Sequence, residues 1–190
     1  WTWEHMALTR ARPVAGDASL CAEAAREVEA IVAMPRDPRK LRHDATEMRA
    51  LLEEEKPARN IWDLKLISGG IIDLEFIAQV AVLSGKCPAE HRPTGTGEVL
   101  ASLSPDFADD QTRSELLDAH RLYMTLTQIV RLCITGPLDS EDIPPGLADI
   151  LLRSVDLPDF GVLEAHITET AGRVRGHFDR LLKTASKSGG

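Results

Sequence analysis

The sequence has few aromatic residues and no long apolar run. Trp, Tyr and Phe together make up 4% of its 190 residues, so Leu, Ile, Val and Ala must fill any interior. No apolar stretch reaches the roughly 20 residues that a membrane-spanning helix needs, and no signal-peptide pattern is present. Apolar residues still account for 43% of the chain. We therefore expect a soluble, globular protein with a substantial core and no membrane partner.

Positive charge is also scarce. The chain has 22 Lys and Arg against 30 Asp and Glu, a formal net charge of −8. Because nucleic-acid affinity rests on clustered Lys and Arg, this composition argues against a nucleic-acid partner. Half of the Lys and Arg residues lie before residue 66, so local basic patches are still allowed.

The cysteines are few and isolated. Cys21, Cys87 and Cys133 lie far apart, and no pair has the spacing of a metal site or a redox motif. The six histidines include no HxxxH pair. The sequence therefore predicts no metal site, reduced thiols and a cytoplasmic protein.

Helical periodicity runs through nearly the whole chain. The second predicted helix carries Leu20, Ala24, Val28, Ile31 and Val32 on one stripe. Proline and glycine punctuate the pattern, because proline cannot continue a helix without losing a hydrogen bond. The predicted helices span residues 2–12, the stretch from Asp17 to before Pro35, 38–55, 71–84, 97–103, 109–135, 145–155 and 159–184. The expected fold is an all-α bundle of about six to eight helices.

Two segments depart from the helical pattern. In residues 58–68, Trp62, Leu64 and Leu66 alternate with polar residues, which predicts a short extended segment before Gly69-Gly70. Residues 85–97 are rich in glycine and proline and are expected to form a loop. We expect residues 17–185 to form the bundle domain and residues 186–190 a disordered tail. The chain opens at Trp1 inside a helical pattern, so we expect residues 1–16 to join it to further, upstream sequence.

The first candidate motif is the opening WTWEHMALTRAR, residues 1–12. On a helix, Trp3 shares a face with Arg10, and Glu4 lies beside Leu8. Arg10 and Arg12 point in different directions and do not form one basic clamp. From the residues alone, this is an amphipathic helix with solvated arginines and an anchoring tryptophan.

The second candidate motif is SGGIIDLEF, residues 68–76. Two glycines before a helix let a ligand approach the backbone closely. On a strand, Asp73 and Glu75 would share a side and could hold a metal jointly, whereas on a helix they lie about 200 degrees apart. The run from Ile71 to Leu83 favours the helix. There the two acids either oppose the positive helix end or serve a function, and the residues alone do not decide between these.

One histidine falls on an apolar face. His120 lies on the apolar side of the predicted 109–135 helix. At such a position a hydrogen-bonded core histidine is more frequent than a catalytic base.

These motifs together resemble a known family. The opening WTWEHMALTRARPVAGD is followed about fifty residues later by DLKLISGGIIDLEFIAQ, with Glu47-Met48-Arg49 between them. This order resembles glutamine synthetase adenylyltransferase over roughly residues 1–83. The WTWEH form, with D-x-E after the double glycine, is similar to the half that adds adenylyl groups; the removing half more often reads REWER and GGIREIEF. Met6 stands where glutamine is usual, which puts any polar contact at that position in doubt.

The resemblance implies an activity for a longer protein. Family members transfer AMP from ATP to a tyrosine of glutamine synthetase, and the PII signal protein and glutamine regulate them. A polymerase-β-type nucleotidyltransferase domain binds ATP and Mg²⁺ through a Gly-Ser turn and a D-x-D on a strand. Neither element of that signature occurs in these 190 residues. We therefore expect the domain upstream of Trp1, with no catalytic residue or cofactor of this chain's own.

The resemblance also suggests site residues. The candidates to face nucleotide or substrate are Lys65, Asp73 and Glu75. Lys65 would neutralise phosphate charge. The two acids would orient basic groups of the neighbouring domain, or the loop of glutamine synthetase that carries the target tyrosine. A further set is proposed for the junction with that domain: Trp3, Glu4, Arg10 and Arg12. An alternative is an interaction module that docks PII or glutamine synthetase. The helical region of PII uridylyltransferase fits less well, because WTWEH is not its pattern.

Overall fold

Eight α-helices are present in the computed structural model, which describes residues 1–87, 94–139, 141 and 143–183. No strand occurs in this described part of the chain. The all-α prediction is therefore confirmed. The helices are α1 Thr2–Leu8, α2 Ala18–Val32, α3 Pro38–Glu55, α4 Ile71–Leu83, α5 Thr96–Ala101, α6 Asp110–Cys133, α7 Pro145–Val155 and α8 Phe160–Leu182.

Aspartate side chains fix where most of the long helices begin. Asp17, Asp37, Asp109 and Asp159 each stand immediately before a helix and accept a hydrogen bond from a backbone N–H of its first turn. Such caps satisfy donors that have no partner within the helix. Proline occupies the first turn of α3 and α7, where its missing N–H costs nothing. These local signals explain why the predicted starts match the observed ones closely.

Helix α1 is shorter than predicted. It ends at Leu8, and Thr9, Arg10 and Ala11 continue in tighter turns with i to i−3 backbone bonds. The Thr9 hydroxyl donates to the Met6 carbonyl at 2.7 Å and so competes with regular helical bonding. Met6 itself is buried in the core. An apolar side chain therefore suits the position where the family usually has glutamine.

Helix α4 is the centre of the bundle. It packs against α1, α3, α5, α6 and α8, and nearly all of its side chains are buried. A helix that is apolar on most sides must be enclosed by others. Around it lies one continuous apolar cluster to which each of the helices α1–α8 contributes.

The segment before Gly69-Gly70 is a series of turns, so the predicted extended conformation is wrong. The N–H groups of Leu66 and Ile67 both donate to the carbonyl of Asp63, and that of Gly70 donates to Ile67. Successive turns bury Trp62 and Leu64 and expose Lys65, which gives the same apolar-polar alternation as a strand. The carbonyl of Leu64 then accepts from the N–H of Ile71 at the start of α4.

Helix α2 buries only part of its predicted apolar stripe. Val32 is buried, Val28 and Ile31 are partly buried, and Leu20 is 63% exposed. The helix packs mainly against α1. Large apolar side chains are also exposed nearby in sequence, at Trp1, Trp3, Val14 and Met34. The N-terminal part of the chain therefore presents apolar surface that this chain does not cover.

None of the helices in the described ranges combines the length and hydrophobicity needed to cross a membrane. The predicted tail at 186–190 lies outside the described residues, as do residues 88–93 of the predicted loop at 85–97. Helix α1 packs against α3 and α4, so it is part of the bundle's packing.

Candidate functional site

A buried carboxylate lies at the centre of the molecule. Asp73, in the first turn of α4, is 0% exposed. Its Oδ1 accepts from Arg49 Nε at 2.9 Å and from Arg175 Nη1 at 3.2 Å. Its Oδ2 accepts from the backbone N–H of Gly69. Both carboxylate oxygens of Asp73 are therefore bound by groups of this chain.

Arg49 joins α3 to the turns before α4. Its side chain is 1% exposed, and its Nη2 donates to the carbonyls of Leu66 and Ile67 at 3.2 and 3.1 Å. The same group lies 3.2 Å from Glu53 on α3. The sequence indicated Arg49 only as part of the EMR segment and gave it no role.

Arg175 joins α8 to the same place. Its Nη1 also donates to Glu53 at 3.0 Å, and its guanidinium lies 5.0 Å from the centroid of the Phe178 ring. No sequence signal distinguished this arginine from others on the helix. We call Arg49, Glu53, Asp73 and Arg175 the central ion cluster; it connects α3, α4 and α8.

Titration of the cluster follows from its burial. Burial raises the pKa of Asp73, while the charges and hydrogen bonds of Arg49, the Gly69 N–H and Arg175 act in the opposite direction. Burial also raises the pKa of Tyr123 far above its ordinary range. Its phenol therefore stays protonated and donates to the Gly69 carbonyl at 3.1 Å. Gly69 is thus held by Asp73 on one side and Tyr123 on the other.

Glu75 points away from Asp73, toward the N-terminal motif. Its Oε1 lies 2.7 Å from Arg10 Nη1, in an ion pair that is partly exposed. His120 on α6 is also close enough for the Glu75 charge to raise its pKa, although burial lowers that pKa by more. The two motifs predicted from the sequence, 65 residues apart, therefore meet at the Arg10–Glu75 pair.

The other junction candidates lie at the surface. Trp3 is 52% exposed. Glu4 is exposed and lies 2.9 Å from the amino group of Trp1. Arg12 is exposed and forms no ion pair with any residue that the structure describes. The structure thus groups Arg10 with Glu75 and leaves Trp3, Glu4 and Arg12 on open surface.

Lys65 faces a different region. It is exposed and lines a cavity of about 500 Å³ together with Lys56, Arg59 and Arg131. Asp73, Glu75 and Arg10 do not line this cavity. The three candidates for contact with nucleotide or substrate therefore do not form one site within this chain.

The acidic side chains of the site are held by cations and a backbone N–H. Among the residues that the structure describes, no group of three or more His, Cys, Asp or Glu side chains is placed to hold a metal ion. Because α4 is a helix, Asp73 and Glu75 face different partners. The arrangement of these two acids is that of internal ion pairs.

Comparison with curated proteins finds relatives that share one name, bifunctional glutamine synthetase adenylyltransferase/adenylyl-removing enzyme. The protein from Mesorhizobium japonicum is 58% identical over 183 residues, which are 96% of this chain and 19% of the relative. That from Brucella suis is 50% identical over 182 residues, covering 96% of this chain and 18% of the relative. That from Agrobacterium fabrum is 43% identical over 186 residues, covering 96% and 19%.

The chain spans about 19% of the length of the curated relatives that it matches. No protein-family model matches the chain.

Proposed function

Because this chain is homologous, over 96% of its length, to one region of the bifunctional glutamine synthetase adenylyltransferase/adenylyl-removing enzymes, we propose that it is a helical domain supporting AMP transfer. In the longer protein it would lie C-terminal to the nucleotidyltransferase domain of the adenylylating half. That domain would move AMP from ATP to a tyrosine of glutamine synthetase. The 58% identity to a relative of this name carries the proposal.

The proposed role is to shape and position, with the chemistry on the neighbouring domain. Nucleotidyl transfer depends mainly on positioning and charge neutralisation. The central ion cluster fixes the start of α4, and the Arg10–Glu75 pair fixes the N-terminal segment against α4. Both would hold the surface that meets the nucleotidyltransferase domain.

ATP and Mg²⁺ would bind mainly on that neighbouring domain. The acids of α4 do not fit a magnesium site here, because two arginines and a backbone N–H enclose Asp73 and Arg10 pairs with Glu75. Of the three candidates for contact with nucleotide or substrate, Lys65 and Glu75 reach the surface. Asp73 is proposed to act indirectly, by holding α4 in place.

The junction is proposed on the N-terminal surface. Trp3 and Leu20 expose large apolar side chains there, and Arg12 is an exposed cation. A neighbouring domain that covered these side chains would remove their apolar area from water, which favours association. The neighbouring domain would cover Trp3 and Leu20, with Glu4 and Arg12 at the rim.

A charge exchange in the full-length protein tests the proposed role. Arg10→Glu or Glu75→Arg alone should lower the rate of AMP incorporation into glutamine synthetase, because each places like charges at the pair. The double exchange should recover much of that rate. Arg153→Glu, at an exposed position on α7, is the matched control and should leave the rate near wild type. Rates that stay at wild type in both single variants, with normal folding, would remove the pair from the mechanism.

The same open surface favours a second candidate, a module that docks PII or glutamine synthetase. Calorimetric titration of this chain with each protein separates the two. Saturable binding that Leu20→Asp abolishes supports docking. If the chain binds neither protein, the result supports contact between this apolar surface and the neighbouring domain.

A further inference from the structure

The cavity that contains Lys65 lies apart from the central ion cluster and the Arg10–Glu75 pair. Residues of the turn segment, 56–66, form one wall. The end of α6 and residues 136–138 form the other. Its volume of about 500 Å³ is within the range of small-molecule sites, roughly 300–1,000 Å³.

Its charge is opposite to that of the whole chain. Four cationic side chains line it against one carboxylate, Asp63, in a protein of net charge −8. Within the described ranges none of the four cations forms an ion pair. The cationic residues are Lys56, Arg59, Lys65 and Arg131.

Helix ends account for only two of these cations. Lys56 caps the C-terminus of α3, and Arg131 lies in the last turn of α6, where a cation favourably meets the negative end of the helix. Arg59 and Lys65 lie in the turn segment, with no such helix end to satisfy. Helix-end electrostatics therefore do not explain why Arg59 and Lys65 line this cavity.

Hydrogen bonds and ring stacking fix the walls of the cavity. Asn60 Nδ2 donates to the Leu138 carbonyl at 2.9 Å, and Asn60 Oδ1 accepts from the Trp62 N–H at 2.9 Å, so this side chain fastens one wall to the other. Trp62 is 8% exposed. Its ring stacks on Phe160 with centroids 5.0 Å apart, and its indole N–H donates to Glu164 at 2.8 Å. The ring is thus fixed before any ligand arrives.

Apolar side chains complete the lining. Leu66 and Val130 line it with partly exposed side chains, together with the buried side chains of Trp62, Leu64 and Leu138. The cavity therefore combines apolar surface with several cations. A ligand that matches both features has an apolar part and more than one negative charge.

We propose that this cavity binds a nucleoside polyphosphate, with its base against the apolar lining to which Leu66 and Val130 contribute partly exposed side chains. Its phosphates lie among Arg59, Lys65, Lys56 and Arg131. Arginine and lysine are the usual phosphate partners in proteins, arginine through its planar fork and lysine as a point charge. The site is separate from nucleotide held on a catalytic domain, so its test is binding to this chain and needs no AMP transfer.

Calorimetric titration of this chain with ATP, at low salt, is the direct test. We expect one-to-one binding, with adenosine and inorganic triphosphate each at least tenfold weaker, because each lacks one half of the ligand. Triphosphate that binds as tightly as ATP would overturn the role of the apolar lining. A glutamate hexapeptide that binds more tightly than ATP would overturn the nucleotide assignment in favour of an acidic protein segment.

Two variants of different kinds check the location. The double variant R59Q/K65Q removes charge from the turn segment, and Thr127→Trp fills the cavity while keeping all four cations. Each should weaken ATP binding at least tenfold, with circular dichroism unchanged. Lys40→Gln, a surface cation outside the cavity, should bind ATP like the unaltered chain. Undiminished ATP binding by either of the first two, or no ATP binding by the unaltered chain, would overturn the proposal.

Discussion

At the scale of single residues, the central ion cluster shows how an acidic side chain is kept inside an apolar helix. Asp73 lies on a helix whose other side chains are almost all buried. An isolated buried charge would cost far more free energy than the fold can supply. Two arginines from other helices and the Gly69 N–H compensate it. Loss of any one of these groups therefore leaves the charge of Asp73 less well compensated.

Removing one member should be costly. Arg49→Met keeps most of the side-chain volume but leaves Asp73 short of a partner, so we expect the free energy of unfolding to fall by about 3–5 kcal/mol. Urea unfolding followed by circular dichroism measures it. Lys40→Met, which breaks the exposed Lys40–Asp44 pair, should leave the urea midpoint almost unchanged. Equal midpoints for the two variants would mean that the cluster contributes nothing.

His120 offers a second test at this scale, through its pKa. Burial lowers this pKa below the ordinary 6.5, so the folded protein disfavours the protonated ring. Its contribution to stability is complete above about pH 6.5 and declines as pH falls toward the folded-state pKa.

The neighbours of His120 set the sign of the changes. The Glu75 carboxylate raises the pKa of His120 and the Arg121 guanidinium lowers it. Glu75→Gln should therefore lower the pKa further, and Arg121→Gln should raise it. NMR titration of the His120 ring signal, assigned with an H120N variant, measures both. Shifts of the same sign in the two variants would contradict the geometry.

At the scale of elements, the start of α4 depends on Gly69, a position where a residue with a side chain does not fit. Gly69 has φ +80, and a Cβ there would overlap the Ala171 carbonyl and lie 2.6 Å from its carbonyl carbon. Ala171 belongs to α8. The glycine thus lets α8 pack directly against the turn before α4.

A matched pair of glycines separates strain from overlap. Gly85 has φ +65 and open space where its Cβ would stand, so Gly85→Ala should cost only the left-handed backbone, about 1–2 kcal/mol. Gly69→Ala adds displacement of α8, and we expect a total loss above about 3 kcal/mol. Thermal unfolding of both variants makes the comparison. Similar losses would show that α8 does not press on Gly69.

The helices could be read from the sequence because their signals are local. Aspartate caps, proline stops and apolar periodicity all act within a few residues, and they located the eight helices closely. The turns of residues 58–70 could not be read, since successive turns and a strand produce the same alternation. The partial exposure of the α2 stripe could not be predicted either. Periodicity identifies an apolar face of a helix, but it does not show which other element covers that face.

The site was harder to predict because its contacts are distant in sequence. Arg49 and Asp73 are 24 residues apart, and Arg175 and Asp73 are 102 apart. The motif predicted that Asp73 and Glu75 face nucleotide or substrate, and that role stays a prediction. Which partner each acid takes depends on how α1, α3 and α8 pack, and no local pattern specifies that.

At the scale of the whole molecule, the chain has one continuous apolar core but exposes large apolar side chains on part of its surface. The core cluster runs through each of the helices α1–α8, whereas α2 and the N-terminal tryptophans expose apolar side chains. Relatives that match this chain are about five times longer. We propose that the chain is a domain that folds around α4 and works beside another domain.

The most direct test of that account measures transfer of radiolabelled AMP from ATP to glutamine synthetase. Three samples are compared at equal concentration: the full-length protein, this 190-residue chain alone, and a full-length protein from which this chain has been deleted. We predict transfer only by the first. Magnesium-dependent labelling by this chain alone would contradict the account, as would full activity of the deleted protein.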